Sequence, residues 1–296
     1  MRDVILVPTY YRPEYLFLCL ERIHNSERPL ESEIWICQDF RFEDEHRNKL
    51  GIEWTTEVLE YWEKKLPLRY IRRRPHNFEG NSRNVLEAYK EAAACEGVRY
   101  IYLIEDDVLV QPDFFKWHEA VQADGDFMCS VAYRCIRNVE ARKDIVDPSA
   151  YFTSARDYAS VGVCWAREKL APVVEHATDE YYRDMGQYIN RVFAGNRFAA
   201  DFGEQDGLIM RVMWNTHGVV AWPYVPRAYH MGWYGYHRPD GKRPDGMLND
   251  KIGKLRDIIH SAEKIQQVSH NFGDIEPVPT FPNAPFEKLF RIQEFL

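Results

Sequence analysis

The sequence predicts an α/β protein built on a wound, mainly parallel sheet. Short continuous apolar runs such as "VILVP", residues 4–8, are typical of strands buried on both faces. These runs alternate with longer segments whose apolar residues recur at helical spacing. The alternation persists to about residue 138. Strands that alternate with helices favour parallel pairing through helical crossovers, which gives the fold class.

Five strands and four helices are expected before residue 138. Pro13 suits the first turn of a helix, because its missing N–H would have no partner there. Asn81 or Ser82 is suited to cap a later helix, and Pro112 opens another with acid in its first turn. The strands are expected at 4–8, 33–39, 68–73, 99–107 and 126–134, and the helices at 13–26, 44–65, 81–94 and 112–123.

The rhythm changes in the second half of the chain. We expect a strand and helix over 162–177, helices over 181–195 and 204–218, and a strand that runs into a Gly-rich loop over 219–232. An amphipathic helix is predicted over 248–268. The last stretch contains Pro277, Pro279, Pro282 and Pro285, so it is expected to lack regular structure and to wrap the surface.

Composition limits the functional classes. The 296 residues are 45% apolar and carry a formal net charge of −8, which argues against nonspecific nucleic-acid binding. A local exception is the stretch 69–83, with five Arg and one acidic residue. We expect no signal peptide and no membrane span. The six Cys show no CxxC spacing and are expected to be small core residues in a reducing cytoplasm.

Polar residues cluster where three predicted strands end. Glu105, Asp106 and Asp107 follow the fourth strand, Asp39 ends the second, and residues 9–12 follow the first. Ligands of open α/β sheets bind outside the carboxyl ends of strands. Mg²⁺ or Mn²⁺ prefers carboxylate and phosphate oxygens, so the triplet is a candidate site for a metal that bridges a diphosphate. The alternative is a solvated acidic turn.

These segments resemble, in order, those of glycosyltransferases with the GT-A fold, in particular the N-acetylglucosaminyltransferase I family, which works on N-glycans. The triplet corresponds to the family's DxD motif, and "EDDVLVQPDFF" is similar to E-D-D-L-E-V-A-P-D-F-F nearly residue for residue. The resemblance extends over about residues 4–235. The other matching segments are "ILVPTYYRPEYLFLCLERI", "IWICQDF", "GNSRNVLEAY", "EQDGLIMR" and "WPYVPRAYHMG".

The resemblance implies roles for individual residues. Asp107 would bind the metal, Asp106 and Glu105 would contact the ribose and the donor sugar, and Asp206 would be the catalytic base. Glu204, two residues earlier, is an alternative base. Each could instead be structural: Asp206 could be a first-turn helix acid and Asp39 a turn cap. The remaining donor-binding candidates are Thr9, Arg12 and Arg83 for the nucleotide and Asp39 for the uracil.

The sequence also departs from the resembled family. The relatives have a membrane anchor and stem, which we do not expect in this chain, and this puts a Golgi setting and an N-glycan acceptor in doubt. His230 is a candidate second metal ligand, because a late His binds the metal in many GT-A enzymes, and His237 is a weaker alternative. The loop 230–246 has four Gly interleaved with aromatics, including Trp233, and is expected to order over the donor.

The resulting prediction is an inverting, metal-dependent transfer from a UDP-sugar to an acceptor hydroxyl, within a catalytic domain of residues 1–247. Its donor half is about 1–137 and its acceptor half about 138–247, and residues 248–296 form the helix and tail. The acceptor stays open among a saccharide, a protein and a hydroxymethylated DNA base. The rivals are a noncatalytic sugar- or nucleic-acid-binding module and a sugar nucleotidyltransferase, which would need a Gly-rich loop that "PTYYRPE" lacks.

Overall fold

In the computed structural model, the protein has a mixed β-sheet that lies between two layers of helices. The described residues are 1–39, 46–72, 80–133, 149–194 and 204–231, with short pieces at 255–256, 258–259, 262–263 and 290–291. No helix in these ranges has the combined length and apolar character that a membrane crossing requires.

Within this part of the chain, nine strands form one sheet in the order β11-β7-β9-β6-β8-β4-β1-β2-β3, and β10 and β5 form a separate antiparallel pair. β1, β2, β3 and β4 pair in parallel, whereas β8 runs antiparallel to both β4 and β6. The strands are β1 Arg2–Thr9, β2 Ser32–Gln38, β3 Leu68–Arg72, β4 Val98–Leu103, β5 Val108–Val110, β6 Cys129–Val131, β7 Ala150–Ser154, β8 Val163–Ala166, β9 Val220–Pro223, β10 Ala228–His230 and β11 Phe290–Arg291.

The central strand β1 shows why its sequence is apolar throughout. Ile5 and Val7 point into one hydrophobic core, and Val4 and Leu6 point into the other, as the twofold alternation of a strand requires. The first core contains side chains of α1, α2 and α4, and the second contains side chains of α3 and α5 to α8. The helices are α1 Pro13–Asn25, α2 His46–Trp62, α3 Gly80–Ala94, α4 Phe114–Asp124, α5 Ala171–Val174, α6 Asp179–Arg183, α7 Met185–Val192 and α8 Gln205–Asn215.

The structure confirms the α/β class and the alternation of the first half, but it corrects several local expectations. The single helix predicted over 181–195 is two helices, because Asp184 accepts a hydrogen bond from the backbone N–H of Gln187 and caps α7. Asp113 lies at the N-cap of α4, not within its first turn. The tail is not wholly irregular, since β11 follows the last proline and pairs in parallel with β7.

Two features of the fold place the candidate site. The chain beyond β4 continues beside the end of β1, where the backbone N–H of Asp106 donates to the carbonyl of Pro8 at 3.2 Å. The β5–β10 pair then returns the chain, so that His230 is in register with Val108. The backbone N–H of Met231 also donates to the carbonyl of Asp107 at 2.8 Å. Segments more than 100 residues apart therefore meet at the acidic triplet.

Candidate active site

The acidic triplet lies at the carboxyl end of β4, and its two aspartates are buried. Asp106 and Asp107 are 2% and 4% exposed, respectively, so their charges need partners. The hydroxyl of Thr9, at the end of β1, donates to Oδ2 of Asp106 at 2.9 Å. The parallel pairing of β1 with β4 brings these two strand ends together.

Arg12 provides the positive charge for both aspartates. Its Nη2 contacts Oδ1 of Asp106, and its Nη1 donates to Oδ2 of Asp107 at 2.7 Å. Nε2 of His230 lies 3.3 Å from the same Oδ2 of Asp107. The other oxygen of Asp107, Oδ1, is buried and has no hydrogen-bond partner among the described residues. Asp107 therefore has two cationic neighbours on one oxygen and unused acceptor capacity on the other.

The electrostatics distinguish the members of the triplet. Burial opposes ionisation of Asp107, but Arg12 and His230 outweigh it and hold the pKa of that carboxyl well below its usual range. Burial, together with the charge of Asp107, raises the pKa of Glu105 to about 8. Burial lowers the pKa of His230, but the adjacent Asp107 carboxylate more than compensates, so the net shift is upward. Asp107 is thus the member that stays ionised over the widest pH range.

Glu105 connects the triplet to two helix N-termini. Nδ2 of Asn81, in the first turn of α3, lies 3.5 Å from Oε1 of Glu105, and Nε2 of Gln205, at the start of α8, lies 3.4 Å from the same oxygen. The backbone N–H of Gln205 donates to the hydroxyl of Ser82 at 3.1 Å. The acidic triplet, α3 and α8 therefore converge at one place.

Asp206 follows Gln205 and lies near the triplet, since its charge contributes to the raised pKa of Glu105. Oδ2 of Asp206 accepts a hydrogen bond from the hydroxyl of Ser160 at 3.4 Å, and its Oδ1 is buried with no partner among the described residues. Burial raises the pKa of Asp206 to about 6, although the hydrogen bonds from Ser160 lower it. The effect of burial exceeds that of the helix N-terminus, which would favour the ionised form. Asp206 is still mostly ionised at neutral pH.

The other predicted site residues differ in their position. Glu204 is exposed at the N-cap of α8, and no side-chain capping bond is formed there. Asp39 is buried beside Thr9, whose carbonyl accepts a hydrogen bond from the Asp39 backbone N–H at 2.8 Å. Arg83 faces α6, where its guanidinium pairs with Asp179 at 3.1 Å and lies over the ring of Tyr182. The structure thus places Arg83 in a helix-to-helix contact.

Several of the expectations fall wholly or partly outside the described residues. Trp233 and His237 lie in the range 232–254, which also contains all of the Gly-rich loop except His230 and Met231. Much of the Arg-rich stretch, residues 73–79, is also outside. These expectations stay predictions.

The chemistry of the triplet is compatible with a divalent metal that is held partly by substrate. No group of three or more His, Cys, Asp and Glu in the described ranges is arranged to hold a metal ion. Oδ1 of Asp107 is nevertheless an unused, buried carboxylate oxygen, and His230 is adjacent. Hard cations such as Mg²⁺ and Mn²⁺ are commonly bound by one or two protein groups together with substrate phosphates. Asp107 and His230 fit the protein part of such a site.

Sequence reasoning missed Asn81, Ser160 and Gln205 as members of the site. The sequence predicts Asn81 and Ser82 only as caps, whereas α3 begins at Gly80, and Gln205 lies between two acidic residues without a motif of its own. Ser160 precedes Val161 and Gly162, and the left-handed backbone of Gly162 (φ +66°) leads the chain into β8. No motif marks Ser160, because its contact with Asp206 joins positions 46 residues apart.

Comparisons with known proteins identify the fold. No family model matches the sequence, and no curated protein matches it. The crystal structure of residues 1–349 of S. aureus TarS in complex with UDP-GlcNAc superposes with a TM-score of 0.50 and 12% identity, covering 92% of this chain and 75% of that chain. TarS is a GT-A glycosyltransferase. The chain has the GT-A fold.

Two other TarS structures are also similar. A structure of the same fragment has a TM-score of 0.48 and 12% identity, and it covers 92% of this chain and 73% of that chain. The fragment in complex with UDP has a TM-score of 0.43 and 15% identity, and it covers 64% and 56%, respectively. At this level of identity, the likeness concerns the path of the backbone, so the activity must be argued from the site.

Proposed function

We propose that this protein is a glycosyltransferase that moves a sugar from a UDP-sugar to an acceptor hydroxyl. The observation that carries the proposal is the convergence of two carboxylate systems at one sheet end: the Asp106–Asp107 pair beside Thr9, and Asp206 at the start of α8. Each system has a buried oxygen with no partner among the described residues, on Asp107 and on Asp206. Such oxygens are costly unless a ligand supplies a cation or a donor.

UDP is the nucleotide that we propose for the donor. The sequence resemblance predicts uridine recognition by Asp39, and TarS, which has the same fold, has been crystallised with UDP-GlcNAc. Transfer of an N-acetylhexosamine is the corresponding candidate reaction. In support of this proposal, Asp39 is buried at the end of β2, and its backbone N–H is bonded to Thr9, whose hydroxyl contacts Asp106 of the triplet.

The proposed chemistry is a single displacement with inversion. The carboxylate of Asp206 accepts the proton of the acceptor hydroxyl while the oxygen of that hydroxyl forms a bond to the anomeric carbon. The bond from that carbon to the diphosphate oxygen breaks, and the electron pair leaves with UDP. A Mn²⁺ or Mg²⁺ ion, held by Asp107 and His230, would neutralise charge on the diphosphate. Arg12 is a further cation at the same end of the site.

A binding module without catalysis is the main rival, and the pKa of Asp206 favours the enzyme. A carboxyl with a pKa of about 6 is well matched to proton transfer near neutral pH. An acid that only stabilised a helix N-terminus could remain in solvent, where burial would not raise its pKa. Glu204 is exposed, and its place at the N-cap suits a structural acid better than a base.

Several finer points belong to this proposal. The N-acetylglucosaminyltransferase I resemblance implies the DxD role of the triplet. We also propose a catalytic domain over residues 1–247, followed by a helix and tail over 248–296. The acceptor is a saccharide, a protein or a modified DNA base. The cytoplasmic setting rests on the spacing of the cysteines.

The test measures UDP release from a panel of UDP-sugars with and without Mn²⁺. Asp206→Asn should lose about 10²- to 10⁴-fold in turnover while keeping donor affinity, because a general base contributes about that much. Asp107→Ala should lose Mn²⁺-dependent binding of UDP-sugar in calorimetry. Glu204→Gln is the matched control and should be milder.

Three outcomes decide among the readings. If Glu204→Gln is inactive and Asp206→Asn is active, the base is Glu204. If both variants turn over normally, the base lies elsewhere. If the unmodified protein binds UDP-sugars but never releases UDP, the binding-module reading replaces the enzyme.

A further inference from the structure

Two amide side chains flank the carboxyl of Glu105. Nδ2 of Asn81 and Nε2 of Gln205 approach the same oxygen, Oε1, at 3.5 Å and 3.4 Å. They come from different helices, α3 and α8, whose N-termini both face the end of β4. We call Asn81, Glu105 and Gln205 the amide–carboxyl cluster.

Gln205 is anchored firmly but is left incompletely bonded. It is 5% exposed, and its backbone N–H donates to the hydroxyl of Ser82 at 3.1 Å, which ties α8 to α3. Its side-chain oxygen, Oε1, is buried and has no hydrogen-bond partner among the described residues. A buried amide oxygen without a partner is destabilising, so its retention calls for an explanation. A purely structural brace would use both ends of the amide.

The cluster also has the right neighbours for a sugar. It lies near both Asp107, the proposed protein ligand of the metal, and Asp206, the proposed base, since both aspartates act on the charge of Glu105. In the proposed reaction the sugar must lie between the diphosphate and the acceptor. A cluster that is near both aspartates is therefore close to the position that the sugar would take.

We propose that Asn81 and Gln205 recognise the donor sugar, through a ring substituent that both donates and accepts hydrogen bonds. This inference rests on the proposed function and adds a specificity-determining pair to it. Amide N–H groups donate, whereas the Gln205 and Glu105 oxygens accept. A hydroxyl group and an acetamido group both offer this combination, and a methylene group offers neither. Sites that hydrogen-bond a substrate group discriminate strongly against analogues that lack it.

The test compares UDP with UDP-sugars, because UDP carries the nucleotide and diphosphate but no sugar. Dissociation constants are measured by calorimetry with Mn²⁺ for UDP, UDP-glucose, UDP-galactose, UDP-GlcNAc and UDP-GalNAc. Gln205→Met should weaken the preferred UDP-sugar by about 5- to 100-fold and leave UDP within about twofold. The comparison of glucose with GlcNAc, and of galactose with GalNAc, identifies the substituent as hydroxyl or acetamido.

Two further variants keep the test decisive. Asn81→Ala alters an exposed side chain, so it should fold normally and show the same selective loss even if Gln205→Met does not fold. Gln187→Met changes an exposed glutamine on α7 and should leave all the dissociation constants unchanged.

The outcomes separate this inference from the proposed function. If both variants weaken the affinity for UDP and for the UDP-sugar equally, Asn81 and Gln205 have a structural role only and the inference is overturned. Unchanged affinity for both ligands would also overturn it. Either result would leave the proposed transferase intact. Failure of the unmodified protein to bind any UDP-sugar would overturn the proposed function and this inference together.

Discussion

At the residue scale, the guanidinium of Arg12 forms ion pairs with two buried carboxylates, those of Asp106 and Asp107. Arg12 lies three residues beyond the end of β1, and Asp106 and Asp107 follow β4, so the pairing depends on the adjacent positions of these two strands. The planar fork of arginine can reach two carboxylates at once, which the point charge of lysine does less well.

Replacing Arg12 should therefore destabilise the fold. Arg12→Met leaves Asp106 and Asp107 without their principal counter-charge, and breaking a buried ion pair typically costs about 3–5 kcal/mol. Urea unfolding measures the change, with Arg12→Lys as the control that keeps the charge and should lose less. A loss below about 1 kcal/mol for Arg12→Met would show that the aspartates do not depend on this pairing.

The pKa of Asp206 predicts the pH dependence of the reaction. Burial raises this pKa to about 6, and a general base acts in its deprotonated form, so kcat/KM should fall about tenfold per pH unit below pH 6. Ser160 hydrogen bonds lower the pKa, so Ser160→Ala should move the acid-side inflection to higher pH. The measurement is kcat/KM from pH 4.5 to 8.5 for both proteins. An inflection that stays in place in Ser160→Ala would remove Ser160 from the positioning of the base.

At the element scale, the short β5–β10 pair brings His230 to Asp107. β5 has three residues and β10 has three, so their backbone pairing alone is marginal. Arg227, which precedes β10 and is 2% exposed, donates from Nε to Asp113 at 3.2 Å. Its backbone carbonyl also accepts a hydrogen bond from the Gln111 backbone N–H at 2.9 Å. The side chain of Arg227 and the backbone thus hold the pair to the start of α4.

Arg227→Met should destabilise the β5–β10 strand pair and thereby weaken metal binding at His230. We expect a loss of about 2–4 kcal/mol in the free energy of unfolding, because Asp113 would lose a buried cationic partner. Mn²⁺-dependent affinity for UDP should fall as well, since His230 would lose its position. Arg191→Ala, which breaks an exposed pair with Glu180, is the control and should cost less than about 1 kcal/mol. Equal effects of the two variants would argue against a structural role for Arg227.

At the scale of the whole molecule, the candidate site contains residues from both halves of the chain. Thr9 lies in β1 and the triplet follows β4, whereas Asp206 lies in α8 and His230 in β10. A ligand that contacts all four elements binds the native state and has no equivalent site in the unfolded chain. Ligand binding should therefore stabilise the whole fold.

A donor at about 100 times its dissociation constant should add about 2.7 kcal/mol to the free energy of unfolding. The corresponding rise in Tm is several degrees and is measured by thermal shift with UDP-sugar and Mn²⁺ together. Asp107→Ala should abolish the part of the shift that depends on Mn²⁺. A shift that is equal with and without Mn²⁺ would contradict a metal-dependent donor site.

The sequence by itself determined the elements and the strand-end cluster, because both are local properties. The spacing of apolar residues predicted β1 to β4 and α1 to α4. Thr9, Arg12 and the triplet lie at or just beyond the ends of predicted parallel strands, which predicted that they would be close together. Local sequence patterns predict short strands less well, because such strands are stabilised by pairing with strands that are distant in the sequence. β5, β7 and β11 have three, five and two residues, too few for a clear period, and each exists through its pairing.

The tertiary structure alone decided how the charges are distributed. Arg12, assigned to the nucleotide from sequence, is bonded to the two aspartates, and Arg83 faces α6. The pKa of Asp206 depends on its burial, which raises it, and on hydrogen bonds from Ser160, which lower it. Asp206 and Ser160 are 46 positions apart, so no local pattern encodes their contact. Local propensity is set by near neighbours in the chain, whereas desolvation and Coulomb energy depend on distance in space. The sequence could therefore supply candidate residues for the chemistry, but their ionisation and their partners depend on the fold.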